Sequence, residues 1–217
     1  MGKQMIKRIL KAVLYVFIIV TLVFLLMRQL PIETYCVGMK PVIYLYPETE
    51  TRVTVKLDLP GELTCTYPAY DGGWTVTAAP DGTLTDEHGR TYNYLYWEGE
   101  VANGFDFSEG FCVAGSDTAA FLEDALDRLG LTRREANEFL VYWLPRMQDN
   151  PYNLIAFQQE AYTESAKLTV SPRPDSVLRV FMAWKPLARP VDVPAQILPG
   201  FERRGFTLVE WGGAEVR

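Results

Sequence analysis

The sequence predicts an α+β fold: an N-terminal transmembrane helix followed by one antiparallel-sheet-rich domain with a central helical hairpin. Three observations lead there. An apolar run without charge lies near the start, a series of later segments alternates apolar and polar residues, and two apolar stripes at helical spacing lie between those segments.

The apolar run comes first. Ala12 to Met27 reads AVLYVFIIVTLVFLLM, and with Ile9, Leu10, Gln29 and Leu30 it reaches about twenty residues, enough for a ~30 Å hydrocarbon core. Lys3, Lys7, Arg8 and Lys11 precede it and Arg28 follows, with no acid before residue 31, so the positive-inside rule keeps the N-terminus in the cytoplasm and exports the rest. A cleaved signal peptide would need a shorter apolar region and a small-x-small site, which Met27-Arg28-Gln29-Leu30-Pro31 does not offer. A soluble helix apolar on every face is unusual in a small domain. The expected organisation is a basic tail over 1–8, an anchor over 9–30, a stalk over 31–40 and an extracytoplasmic α+β domain over 41–217.

Strand periodicity follows. Val42–Tyr46 lies between Pro41 and Pro47 as a first strand. Val53, Val55, Leu57 and Leu59 alternate with Arg52, Thr54, Lys56 and Asp58, the period of a half-buried strand. After the Pro60-Gly61 turn, Leu63, Cys65 and Tyr67 alternate with Glu62, Thr64 and Thr66. Asp71-Gly72-Gly73 turns the chain into Trp74, Val76 and Ala78, and Pro80-Asp81-Gly82 ends that run. Arg90–Glu100 is rich in sheet-favouring residues. These segments read as an antiparallel meander.

Two helices come next. Ser116 is the expected N-cap of the first, Leu122, Ala125, Leu126 and Leu129 form its stripe, and Gly130 stops it. Thr132 and Glu135 have the spacing of a capping box, followed by Ala136, Phe139, Leu140 and Trp143 up to about Pro145. The short link makes the pair an antiparallel hairpin. Leu154–Tyr162 fits either strand or helix. Lys167–Val170, Val177–Trp184 and Phe206–Trp211 read as strands, and proline-rich Arg189–Pro199 as an extended connection.

KPVIYLYP at 40–47 and YLYWEG at 94–99 resemble the signature of an uncharacterised family of bacterial membrane-anchored proteins. Asn150–Asn153, Phe181–Pro186 and Gly205–Gly212 are similar to later blocks of that family. The resemblance implies kinship over most of 40–212, with no established activity and no catalytic residue to carry over.

Composition and motifs bound the chemistry. The chain has 217 residues with 21 Lys+Arg and 27 Asp+Glu; residues 31–217 hold 16 of the basic and all of the acidic groups, a net of −11, which argues against a nucleic-acid partner. The one histidine, His88, lies in a polar turn, so a Ser-His-Asp or Cys-His arrangement has little to rest on, and there is no Gly-x-Ser-x-Gly elbow. No Cys-x-x-Cys, His pair or EF-hand rhythm points to a metal, and Gly99, Gly104, Gly110 and Gly115 make no phosphate-binding loop, so no cofactor is expected. Cys65 and Cys112 are candidates for a disulfide if exported, with Cys36 a weaker partner; a buried thiol at Cys65 is the alternative.

The most suggestive cluster is aromatic and acidic. Tyr92, Tyr94 and Tyr96 share a strand face, with Trp97, Glu98 and Glu100 beside them and Asp106 and Glu109 in the following loop. Rings stack on apolar sugar faces and carboxylates accept hydroxyl hydrogen bonds, so Tyr94, Tyr96, Trp97, Glu98, Glu100, Asp106 and Glu109 form the candidate ligand-binding set. The bland alternative is that the tyrosines are the buried face of the sheet and the acids its solvated edge. Trp184 and Trp211 end strands either as a contact surface or as core plugs. The functional expectation is a membrane-anchored binding or interaction domain at the cell envelope, with an envelope protein or glycan as partner. A glycan hydrolase using Glu98 with Asp106 or Glu109 is the alternative. A structural membrane subunit is a third reading, though the apolar run lacks the Gly-x-x-x-Gly pattern of helix pairing.

Overall fold

The structure is a computed structural model that describes residues 35–102, 104–158 and 160–216, together with positions 2, 13, 15 and 17–21 of the N-terminal segment. Two compact units result, Met1–Thr34 and Tyr35–Arg217. In the first, the described positions are helical and exposed, and Thr21 donates to the Phe17 carbonyl. Most of the anchor expected over 9–30, and of the tail before it, lies outside the described residues. Among those described, no helix is long and apolar enough to cross a membrane.

The second unit is α+β. Its strands are β1 (Tyr35–Tyr46), β2 (Thr51–Asp58), β3 (Leu63–Tyr67), β4 (Trp74–Ala78), β5 (Leu84–Thr85), β6 (Thr91–Tyr92), β7 (Leu95–Ala102) and β8 (Phe111–Ala114), then β9 (Tyr152–Gln158), β10 (Lys167–Ser171), β11 (Ser176–Leu187) and β12 (Thr207–Glu215). Three α-helices are described in it: α1 (Thr118–Leu129), α2 (Arg133–Met147) and α3 (Glu160–Ser165). The strands form a seven-stranded sheet, β3-β7-β1-β12-β11-β9-β8, and a five-stranded sheet, β10-β2-β4-β5-β6. Pairing is antiparallel except between β11 and β12. The expected meander is therefore divided between two sheets, because β3 and β7 join the larger sheet while β2, β4, β5 and β6 build the smaller. Strand alternation looks the same in either case, since each sheet buries one face against the other.

Three layers follow from that alternation. On β1, Val42 and Tyr44 turn toward the α1–α2 hairpin while Ile43 and Leu45 turn toward the five-stranded sheet, and all four are essentially buried. Burying each side chain contributes ~1.5–3 kcal/mol. β12 and β11 repeat the pattern, with Val209 and Trp211, and Val180, Met182 and Trp184, on the hairpin side. Trp184 and Trp211 are thus core plugs. Trp143 of α2 lies so close over Gly213 that a Cβ there would come within 2.6 Å of its ring.

Several expectations need correction. Residues 35–40, expected in the stalk, are the first half of β1 and pair with β7 and β12. Ser116 does not cap α1: it lies in a 3-10 turn, Gly115–Asp117, and α1 starts at Thr118 without a side-chain cap. Gly115 fixes the chain path there, packed against the carbonyls of Gln148 and Asn150 where no Cβ fits. The Gly130 stop (φ 94°) and the Thr132/Glu135 capping box are present. α2 continues through Pro145 to Met147, as a proline in the last turn forfeits only one bond, to the carbonyl of exposed Val141.

Candidate functional site

The hairpin covers only part of the seven-stranded sheet, and the β1–β7–β3 side leaves a partly open aromatic face. Its geometry starts at a bulge in β1. Pairing runs Gly38↔Gly99 and then Val42↔Tyr96 on one side, Met39↔Gly213 and then Val42↔Trp211 on the other, so β1 carries one extra residue in each ladder. Pro41 cannot donate to a ladder, which suits a bulge. Lys40 takes φ 51°, a left-handed conformation costly for a residue with a side chain.

This turn aims Lys40 across the face. Its ammonium lies 5.0 Å from the Tyr142 ring centre and 5.8 Å from that of Trp211, and its main-chain N–H donates to Glu98 at 3.3 Å. Burial lowers the Lys40 pKa from its ordinary value; Glu138 and Glu98 pull the other way, and Arg146 adds to the lowering. Glu138 accepts from the Tyr44 hydroxyl at 2.8 Å, and the Arg146 guanidinium lies over the Tyr142 ring at 4.0 Å. Tyr94 and Tyr96 are half-buried beside this group, while Tyr67, at the end of β3, turns its ring onto Tyr92 at 5.4 Å and away from it. Burial, then Glu98 and Cys65, raise the Tyr96 pKa, so its phenol stays protonated as a hydrogen-bond donor. The result is a tyrosine surface edged by two cations, Lys40 and Arg146, and two acids, Glu98 and Glu138. Rings can stack on a flat apolar face while the charged rim takes hydroxyl or amide hydrogen bonds.

Of the sequence-predicted set, Tyr94, Tyr96 and Glu98 meet here. Trp97 does not: it is fully buried on the opposite face, where its indole donates to Glu210 at 3.1 Å. Tyr92 leaves the face as well, because the chain crosses between sheets at Asn93–Tyr94 and Tyr92 joins β6 in the inter-sheet core. Glu100 follows farther along β7, packed against Gly61. Asp106 is held elsewhere: its main chain exchanges hydrogen bonds with the Gln158 side chain on β9, four strand positions from β7 or roughly 19 Å. Its carboxylate is taken up by Ser108, and Glu109 is exposed in the same loop. Glu98 is therefore not brought opposite Asp106 or Glu109 as a two-carboxylate hydrolysis requires.

Cys65 and Cys112 are not joined. Cys65 and Cys112 are both free, on β3 and β8, the two outer strands of the seven-stranded sheet, about six strand spacings or ~29 Å apart where a bridge needs ~7 Å or less between Cα atoms. Cys65 is exposed because a bulge between Leu63 and Cys65 turns it off the apolar face expected for it.

The sequence reading missed a buried charge cluster on the inter-sheet side. Arg179 and Glu210 stand directly opposite in the parallel β11–β12 pair, and the Arg179 Nε donates to Glu210 at 2.6 Å. The glutamate side chain has no exposure and the arginine 9%. Burial works against the charge on Arg179, but the Glu210 carboxylate and Tyr162 together outweigh it and raise its pKa. Tyr162 stacks under the guanidinium at 4.7 Å; its hydroxyl feels both charges without a well-aligned hydrogen bond, and burial keeps it protonated. The available signal was a charge set inside the apolar run of each strand, Arg179 within Val177–Trp184 and Glu210 within Phe206–Trp211, the two facing each other only once their register is known.

Among known proteins, an uncharacterised protein of Butyrivibrio fibrisolvens, described as lying in the bglA 3′ region, is similar to this chain: 51% identical over 65 residues, covering 29% of this chain and 67% of the relative. The chain belongs to that protein's family. No family model matches the sequence. No solved structure matches either. That relative is described as uncharacterised, which agrees with the expectation of an uncharacterised group.

Proposed function

We propose that the chain is a membrane-anchored binding protein whose domain sits on the outer side of a bacterial cytoplasmic membrane and engages an envelope glycan or protein through the tyrosine face around Lys40. The observation that carries the binding role is the partial exposure of Tyr94 and Tyr96 in one patch, edged by Lys40, Arg146, Glu98 and Glu138. Rings that served only to fill the core would be covered, as Trp97 and Trp143 are. The anchor is supported by the sequence alone, through the apolar run over 9–30 and its basic flank.

Two measurements test this. Exposed Cys65, left as the single cysteine in a Cys36→Ser/Cys112→Ser background, should react with a membrane-impermeant maleimide in intact spheroplasts; protection until lysis refutes the placement. The full chain in detergent should be retained on purified cell-wall glycan or cross-link to an envelope protein, and Tyr94→Ala with Tyr96→Ala should weaken this about tenfold. No retention and no cross-linked protein would overturn the binding role.

A further inference from the structure

Lys40 carries a chemistry that stacking and hydrogen bonding on the tyrosine face leave unused. Its backbone sits at φ 51°, the one positive value outside glycine among the described residues, and such strain persists only where the surrounding structure imposes it. The bulge directs the side chain inward, against the faces of Tyr142 and Trp211, where Lys40 is half-buried. The other described lysines differ. Lys56 and Lys167 are exposed, with the Lys56 stem laid over Gly73, and Lys185 lies over the Phe107 ring at 4.3 Å on ordinary strand backbone of β11.

The charges around this amine are unevenly arranged. Arg146 lies over the same Tyr142 ring, so a second cation is held close by. Two carboxylates are near, but both are engaged elsewhere: Glu138 accepts from the Tyr44 hydroxyl and pairs with Arg134 at 3.8 Å, and Glu98 accepts from the Lys40 main chain. Among the described residues neither forms an ion pair with the ammonium. Burial leads in lowering the Lys40 pKa and Arg146 adds to it, while Glu138 and Glu98 oppose it without reversing it. Glu98 on β7 and Glu138, Tyr142 and Arg146 on α2 are thus the titratable and charged groups that face the amine, with Trp211 on β12 closing the nook.

A lysine held half-buried beside another cation is the arrangement that activates an amine for attack on a carbonyl carbon. In an aldose-built glycan the carbon open to that attack is the aldehyde of the open-chain reducing end. We propose that Lys40 is a nucleophilic lysine that captures the reducing-end aldehyde of a glycan seated on the tyrosine face, holding it as an imine. This rests on the glycan reading of that face. The ammonium first gives up a proton, to a facing carboxylate or to solvent. The Nζ lone pair then bonds to the aldehyde carbon, the C=O π pair moves to oxygen, and that oxygen is protonated as the nitrogen sheds a proton. The carbinolamine loses water and the nitrogen lone pair closes the C=N bond, so nothing is oxidised or reduced. Glu98 and Glu138 are the acceptors that can take and return these protons.

The test treats the full chain in detergent, at neutral pH, with glycolaldehyde or with the reducing disaccharide diacetylchitobiose, each with cyanoborohydride to fix imines. Peptide mass spectrometry reads every lysine. Glycolaldehyde should modify Lys40 roughly tenfold or more faster than Lys56, Lys167 or half-buried Lys185. The Lys40 rate should be half-maximal at lower pH than theirs, and Arg146→Gln should slow it about twofold or more while leaving theirs unchanged. The disaccharide should label Lys40 selectively, and Tyr94→Ala with Tyr96→Ala should abolish that labelling while sparing the reaction with glycolaldehyde. A Lys40 that reacts with glycolaldehyde no faster than Lys185, or not at all, overturns the nucleophile whatever the chain's retention on glycan. Fast capture of glycolaldehyde without capture of the disaccharide overturns the sugar assignment. Disaccharide labelling indifferent to the two tyrosine substitutions overturns the tyrosine-face reading and leaves the amine standing.

Discussion

Replacing Glu210 by Gln tests the reasoning about the buried charge cluster most directly. Gln keeps the shape and can still accept from the Trp97 indole, so the change removes one thing, the negative charge opposite Arg179. An arginine that is 9% exposed cannot recover its hydration, and breaking a buried pair from one side costs ~3–5 kcal/mol. In a domain of this size each kcal/mol lowers the unfolding midpoint by about 2–4 °C, so Glu210→Gln should lower it by about 6–20 °C. Arg179→Met in the same background removes the stranded charge and should recover most of the loss, to within ~1–2 kcal/mol of the parent, because apolar replacement of a buried pair is often close to neutral. Urea and thermal unfolding followed by tryptophan fluorescence read both variants. A loss under about 1 kcal/mol for Glu210→Gln, or a double variant no more stable than the single, refutes the argument that desolvated charge dominates this site.

Three further outcomes follow from the packing and the turns. Gly213→Ala forces a Cβ to within 2.6 Å of both the Met182 carbonyl and the Trp143 ring, and should destabilise by ~1–3 kcal/mol or more; an unchanged denaturation midpoint would mean that Trp143 is not seated on β12. Thr132→Ala removes a cap whose bond to the Glu135 N–H is long at 3.4 Å, so its cost should fall at the low end, about 0.5–1 kcal/mol in urea unfolding, and a loss beyond ~2 kcal/mol would contradict that. Burial disfavours the ionised Asp86 carboxyl, but the Arg90 N–H, the Tyr92 hydroxyl, the Arg90 side chain and the His88 N–H together hold its pKa down to about 2. The stability it adds to the β5–β6 turn is therefore fully present above the ordinary value of 3.8 and is lost as pH falls through about 2, and a carboxyl carbon NMR titration with its midpoint near 4 would show that these bonds do not form.

Element type was largely legible in the sequence, because period two and period 3.6 are properties of single segments. The hairpin helices, the Gly130 stop and the Thr132/Glu135 box are local, and they stand where their residues imply. Partner choice is not local. Nothing in Glu62–Tyr67 distinguishes joining β7 in the larger sheet from joining β2 in the smaller, and the bulge that turns Cys65 outward exists only against β7. The tyrosine alternation failed at Tyr92 for the same reason, a sheet change hidden inside one unbroken pattern. Half of the candidate face came from residues that look unremarkable in sequence. Lys40 reads as the residue before a proline, and Glu138, Tyr142 and Arg146 read as the solvated side of a helix until the sheet edge beneath them is in place.

The parallel pair raises a question of specification that the charge cluster answers. β11 and β12 are joined by the extended stretch 188–206, with no tight turn to set their alignment, and both strands are apolar along nearly their whole length. A slip of one residue would exchange the two faces of a strand at little hydrophobic cost, since both faces are buried. It would also carry Glu210 from the inter-sheet side, where Arg179 and the Trp97 indole meet it, into the layer holding Val209 and Trp211 with no cation opposite. A buried unpaired carboxylate costs several kcal/mol, enough to exclude that register outright. Because Trp97 reaches Glu210 from β7, across the intervening β1, the same contact ties four neighbouring strands to one alignment. The cluster thus contributes less to net stability than to choosing which pairing is stable.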